Sequence, residues 1–330
     1  MREFADRMYL HAKIHGLRHT ILSGPSYRDV LTTRTFNKIP IEIRNQPGNF
    51  SSLFTLEENI FRKQVETLLK LLNISKYYRR LFRAYLHVFE TWNVKALLMR
   101  AEGRYEGDIP WFDISPYNLL SSSFRNEILD RKGLVSRLPE QYKIVFSEVA
   151  SSQRYEQVEI ALDMSIYREL IKSMKCLRPE DAGILAESLL LNITLLSLTW
   201  KKRLEVLYRW DRASARSFVD GMAEVLWQSH PLLKKRYPAV VQYWERNAPF
   251  LSAHLRPGDY LQLREGEQAM HRKLYTCYLS WFFRDFHAAW CVVSFLWLLY
   301  YQLQNLRGMV EGLRADMHPD RIINMLVYGE

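Results

Sequence analysis

Apolar positions recur along this chain at helical spacing, and prolines cut the pattern into segments. Prolines at positions 25, 40, 47, 110, 116, 139, 179, 231, 238, 249, 257 and 319 leave long intervals rich in Leu, Arg, Tyr and Glu, and these intervals predict helices. The stretch from Ser23 to Ser52, with its Thr, Pro, Asn and Gly, is the least periodic part of the first third, and residues 38–44 (KIPIEIR) form a candidate extended piece. Two breaks read as longer connections. Residues 104–116 (RYEGDIPWFDISP) fit a link between domains, and residues 228–240 (QSHPLLKKRYPAV) fit a join between helices within the last third.

The most apolar segment runs from Phe286 to Gln304. Its uncharged core, Ala288 to Tyr301, is 14 residues long. That is roughly 21 Å of helix, against a bilayer hydrocarbon thickness of about 30 Å. The segment is too short to span a membrane and predicts a buried central helix, apolar on all sides.

A search for internal repeats aligns three segments without gaps: WNVKALLMRA (92–101), LNITLLSLTW (191–200) and QNLRGMVEGL (304–313). Each is centred on an asparagine, Asn93, Asn192 or Asn305, so the spacings are 192 − 93 = 99 and 305 − 192 = 113 residues, a domain-sized period. The positions one, four, five and eight after each Asn are Val94, Leu97, Leu98, Ala101; Ile193, Leu196, Ser197, Trp200; and Leu306, Met309, Val310, Leu313. All but Ser197 are apolar, which places each Asn beside a stripe on one helical face. An amide there donates and accepts hydrogen bonds, so it predicts a tether between the helix and neighbouring backbone.

Composition agrees with helices. Gly (13) and Pro (12) in 330 residues fall below their usual shares of roughly 7% and 5%, which disfavours a turn-rich β architecture. The three cysteines, Cys176, Cys277 and Cys291, are odd in number and sit in apolar or helical runs, as core residues of a reducing compartment would. Arg2, Glu3, Asp6 and Arg7 near the start interrupt any apolar leader pattern, so the cytoplasm is the expected location. The formal net charge of +10 is spread over short clusters (77–80, 201–203, 234–236) and not gathered in one tract. It fits a basic solvated surface with some partner contact; a basic helical nucleic-acid-binding protein is the alternative.

Catalytic patterns are missing from the sequence. There is no GxxxxGK[ST] or GxGxxG phosphate loop, no GxSxG elbow, no CxxC pair and no HExxH helix, so no catalytic residue, cofactor site or metal site is expected. The acidic doublets Glu57-Glu58 and Glu180-Asp181 read as first turns of helices. His11, His15 and His19 fall at i, i+4 and i+8 and would line one face of the first helix. With no acidic or Cys partner nearby in sequence and with Arg7, Lys13 and Arg18 around them, they are expected to form a solvated or partner-facing stripe. A metal-dependent helical enzyme is the remote alternative.

With the Asn segments placed, the chain resembles the C/d-type subunit of V-type and A-type rotary ATPases. The likeness is clearest in AWCVVSFLWLLYYQLQNLRGMVEGLRADMHPDRIINMLV (289–327), where Asn305, Leu306 and Arg307 match an Asn-Leu-Arg step after an aromatic-rich apolar helix. YLHAKIHGLRHTILS (9–23), WNVKALLMRAEG (92–103) and EIALDMSIYRELIKSMK (159–175) follow in the expected order. Two departures stand out. Tyr300, Tyr301 and Gln302 replace acidic residues before the third Asn, and Thr194 stands where the other segments have Lys95 and Arg307. The resemblance implies an all-α protein of three pseudo-symmetric domains, residues 1–115, 116–215 and 216–330, arranged as a funnel around a central cavity. It further implies a non-catalytic, cofactor-free central-stalk subunit whose partners are the shaft subunits and the membrane rotor ring, with no nucleic acid. Such a subunit lies on the cytoplasmic face of the membrane through the ring, without a transmembrane helix of its own. Asn93, Lys95, Asn192, Asn305, Leu306 and Arg307 are then structural motif positions.

Overall fold

The computed structural model describes residues 2–33, 53–105, 109, 111–127, 129–149, 154–247, 255–256, 258–284 and 288–328. Among them there are α-helices and short 3-10 turns and no strand, so the chain is all-α, as its periodicity predicts. Residues 38–44 lie outside the described residues. In chain order the helices are α1 (Arg2–Gly16), α2 (Gly24–Thr33), α3 (Leu53–Ile74), α4 (Arg79–Ala101), α5 (Arg131–Arg137), α6 (Glu140–Glu148) and α7 (Tyr155–Met174). They continue with α8 (Pro179–Val206), α9 (Arg212–Gln228), α10 (Pro231–Asn247), α11 (Tyr260–Arg284), α12 (Ala288–Arg314) and α13 (Pro319–Asn324).

Two compact units result, one of residues 1–82 with 271–330 and one of residues 83–270. This spatial grouping is a different partition from the three sequence segments, because the two ends of the chain pack together.

In the first unit α12 is the central element, with α1, α3 and α13 packed on it and α2 on α13. From Ala289 to Leu303 its residues are buried, apart from the half-buried Trp290 and Tyr300. The sequence expectation of a central apolar helix therefore holds, because a helix apolar on all sides is stable only when enclosed. Aromatic rings from α11 complete the packing: Trp281 lies 4.3 Å from Trp290, and Tyr278 stacks on Trp297 at 6.0 Å. At Gly312 a Cβ would sit 2.7 Å from Ile322 Cγ1, so α13 approaches α12 closely only because that position has no side chain.

In the second unit α8 has the central place, with α7, α9 and α10 against it. It starts with Pro179 and carries Glu180 and Asp181 in its first turn, where a missing N–H costs nothing and carboxylates complement the dipole. By length and composition α8 could cross a bilayer, but 72% of its most apolar window is buried inside the protein, as in a core helix. α4, α5, α6 and α7 share a second cluster in this unit, into which Ile109, Trp111, Leu120 and Phe124 insert.

Several expectations need correction. Residues 228–240 do hold a join between two helices, but a shorter one than expected: only Ser229 and His230 separate α9 from α10, Pro231 opens α10, and Pro238 lies inside it. Pro238 is the eighth of the 17 residues of α10, so one backbone hydrogen bond is lost in mid-helix, while the helix is held by its packing on α8 and α9. Residues 104–116, expected to link domains, lie within one unit. Their apolar side chains Ile109, Trp111, Phe112 and Ile114 are buried within the second unit. Cys291 is buried as expected, whereas Cys176 and Cys277 are only half-buried.

The start of α10 makes stability depend on pH. The Leu232 backbone N–H donates to His230 Nδ1 at 3.3 Å, an interaction that needs the neutral ring. Burial, then the positive charge of Lys175, hold the His230 pKa below the ordinary imidazole value. As pH falls, the unfolded chain takes up this proton first. The stabilisation is therefore complete above about pH 6.5 and is lost as pH drops through the lower folded value. Urea midpoints measured from about pH 7 to about pH 5 are expected to fall further for the native chain than for His230→Asn, which keeps a capping side chain that cannot titrate. Parallel profiles would contradict this.

Candidate functional site

Buried backbone outside a helix needs hydrogen-bond partners from elsewhere. In the second unit α4 supplies them. Asn93, 1% exposed, donates from Nδ2 to the Phe112 carbonyl at 2.9 Å and accepts the Phe112 N–H on Oδ1 at 2.9 Å. One amide thus satisfies both backbone groups of one residue. One turn earlier, Glu90 accepts the Leu119 and Leu120 N–H groups on Oε1 at 2.5 and 2.7 Å. Its other oxygen meets His87 Nδ1 at 3.1 Å and the Tyr142 hydroxyl at 3.4 Å. Burial, then the Glu90 charge, push the Tyr142 phenol far up, so it stays protonated and donates.

The same device recurs in the first unit on α12. Asn305 donates to the Val327 carbonyl at 2.6 Å and accepts the Val327 N–H at 2.7 Å. Three residues earlier, Gln302 accepts the Leu22 N–H on Oε1 at 2.7 Å. Both helices also end alike. Gly103 (φ 65°) and Asp316 (φ 48°) take left-handed conformations, and the next N–H in each case returns to a carbonyl five residues back, Arg104 to Met99 and Met317 to Gly312, both at 2.9 Å.

The third asparagine is placed differently. Asn192 Nδ2 bonds the Ser188 carbonyl of its own helix at 2.8 Å, the adjacent Leu191 carbonyl accepts Trp244 Nε1 at 3.2 Å, and three residues before it stands a fully buried Leu189. The apolar stripe beside the asparagines is real, since nine of its twelve positions are buried: Val94, Leu97, Leu98, Ile193, Ser197, Trp200, Leu306, Met309 and Val310. Glu90 and Gln302 were missed by the sequence reading. The available signal was a lone polar residue three positions before the Asn, on the same face of an otherwise apolar helix.

Charged motif positions serve different ends. Lys95 bridges Asp163 at 2.6 Å and Glu159 at 3.5 Å, tying α4 to α7. The second oxygen of Asp163 accepts Trp200 Nε1 from α8 at 3.0 Å, and Arg203 on α8 clasps Glu267 on α11 with two bonds of 2.7 and 2.8 Å. Arg307 pairs instead with Glu311 one turn along its own helix, at 3.1 Å and largely exposed, while Leu306 beside it is buried. A cavity of about 480 Å³ opens among α8, α9 and α10. Its four cationic side chains, Lys201, Lys202, Arg212 and Arg216, face four carboxylates, Glu205, Asp220, Glu224 and Glu245, so its charge is balanced.

The histidine stripe is corrected. α1 ends at Gly16 and the chain turns, so His19 leaves the line and approaches the Gly16 carbonyl at 2.9 Å. His11 is buried, and the half-buried His15 stacks on Phe282 at 5.1 Å.

A family model described as the ATP synthase (C/AC39) subunit matches residues 10–325 of the chain. No curated protein matches it.

The clamps define a mutational test. Asn93→Ala leaves the Phe112 N–H and C=O unpaired and is expected to cost about 1–3 kcal/mol for each group. Asn93→Asp should be worse still, since it sets a carboxylate oxygen against the Phe112 carbonyl. The same order is expected for Asn305 and Val327. By contrast, Leu261→Ala, at a position 74% exposed, should stay within about 0.5 kcal/mol of the native chain. Chemical denaturation of the five variants and the native chain measures this, and near-native midpoints for both alanine variants would refute the clamps.

Proposed function

We propose a function from one premise: the chain belongs to the ATP synthase (C/AC39) subunit family. In this reading it is a non-catalytic central-stalk subunit that seats the rotating shaft and rests on the membrane rotor ring. It transmits torque between ATP hydrolysis or synthesis in the soluble head and H⁺ or Na⁺ movement in the membrane. It works on the cytoplasmic face of the membrane, held there by the ring.

The observation that carries this reading is how α4 and α12 fix the irregular backbone packed on them. A part that passes torque must resist deformation, and close-packed interiors with saturated polar groups transmit strain instead of absorbing it. Asn93 with Glu90, and Asn305 with Gln302, lock non-helical segments to the middle of long buried helices. The shared three-residue offset and matching helix ends also support reading α4 and α12 as equivalent parts of sequence repeats. Asn192 would mark the third, with repeats at residues 1–115, 116–215 and 216–330.

The test is assembly. A tagged full-length chain expressed with the shaft subunits and rotor ring of its own cell should retain both through purification, and the isolated chain should hydrolyse no ATP. Shaft and ring that assemble with each other while leaving this chain behind would overturn the proposal, as would ATPase activity of the chain alone.

A further inference from the structure

His11 and His15, one turn apart on α1, meet Cys291 of α12, the helix on which α1 packs. Their ligating atoms all lie within 4.8 Å of one another, and the two histidine Nε2 atoms are 3.1 Å apart. Bonds of about 2.0–2.1 Å to nitrogen and 2.3 Å to sulfur around a planar three-coordinate ion put neighbouring ligand atoms about 3.5–3.8 Å apart. The three side chains thus surround one position that small rotations would complete. We propose that His11, His15 and Cys291 form a three-coordinate site for a thiophilic d¹⁰ cation, Cu⁺ in preference to Zn²⁺, which pins α1 to α12.

The surroundings fit such a site. On binding, the S–H proton leaves to solvent and the sulfur lone pair forms the metal bond, with no change of oxidation state. Charge then selects the metal. A thiolate, two neutral imidazoles and Cu⁺ sum to zero, whereas Zn²⁺ leaves one positive charge where the Arg18 cation already acts on His15. Ser294, one turn along α12 from Cys291, adds a fully buried hydroxyl with no hydrogen-bond partner among the described residues.

The inference is independent of the stalk reading and is tested on the full chain. Metal-free protein is incubated anaerobically with Cu⁺ in one arm and with Zn²⁺ in another, excess ion is removed, and bound metal is counted and examined by X-ray absorption. One retained Cu⁺ per chain, with one sulfur and two imidazole nitrogens around it, is expected. Cys291→Ser and His15→Ala should each weaken retention at least about ten-fold, while His19→Ala and Cys277→Ser leave it unchanged. Retention of Zn²⁺ alone would overturn the charge argument for copper. No retained metal in either arm, or a spectrum without sulfur, would overturn the site itself, and the native-chain spectrum decides this even where a variant fails to fold.

Discussion

Backbone that is buried outside a helix has no partner four residues away, and leaving it unpaired costs about 1–3 kcal/mol per group. That constraint shapes both units of this protein. Their apolar loops, around Phe112 in one and Val327 in the other, could enter the core only if something there bonded their N–H and C=O groups. In each unit the partner is an amide or carboxylate projecting from the middle of a buried helix: Asn93 and Glu90 from α4, Asn305 and Gln302 from α12. The helix keeps its own ladder and lends its side chain to the loop. Replacing these residues by apolar ones of the same size would fill the space and still leave the loops unsatisfied.

The remaining polar network follows the same economy. Lys95 serves two carboxylates of α7, one of which also receives Trp200, so three helices meet through a single ion-pair cluster. Arg203, half-buried, donates from Nε and Nη2 to the two oxygens of Glu267 while lying 5.2 Å from the Trp200 ring centre. Bidentate geometry of this kind fixes direction as well as distance.

How much of this could be read from the sequence depended on range. Helix content, the buried apolar helix from Ala288 and the tethering role of Asn93 and Asn305 follow from periodicity and from the chemistry of an amide beside an apolar stripe, all local quantities. What failed was local reasoning about punctuation. Pro231 and Pro238 look like breaks, yet both lie within α10: Pro231 falls where no N–H is needed, and Pro238 gives up one bond in the middle of a helix held on α8 and α9. Residues 104–116 look like a linker, yet Trp111 and Phe112 are core, and Asn93, 19 residues away, pairs both backbone groups of Phe112. Cys291 could not be paired with His11 and His15 by spacing, because the three are joined only by the packing of α1 on α12. His19 was misplaced by extending a helical line past Gly16.

The central claim is that single buried side chains hold the irregular backbone as firmly as the helices hold their own. Native-state amide hydrogen exchange tests it most directly. The Phe112 and Val327 amides should exchange as slowly as amides in the middle of α4 and α12, although neither belongs to a helix. Exchange at the rate of exposed loop amides would contradict the account.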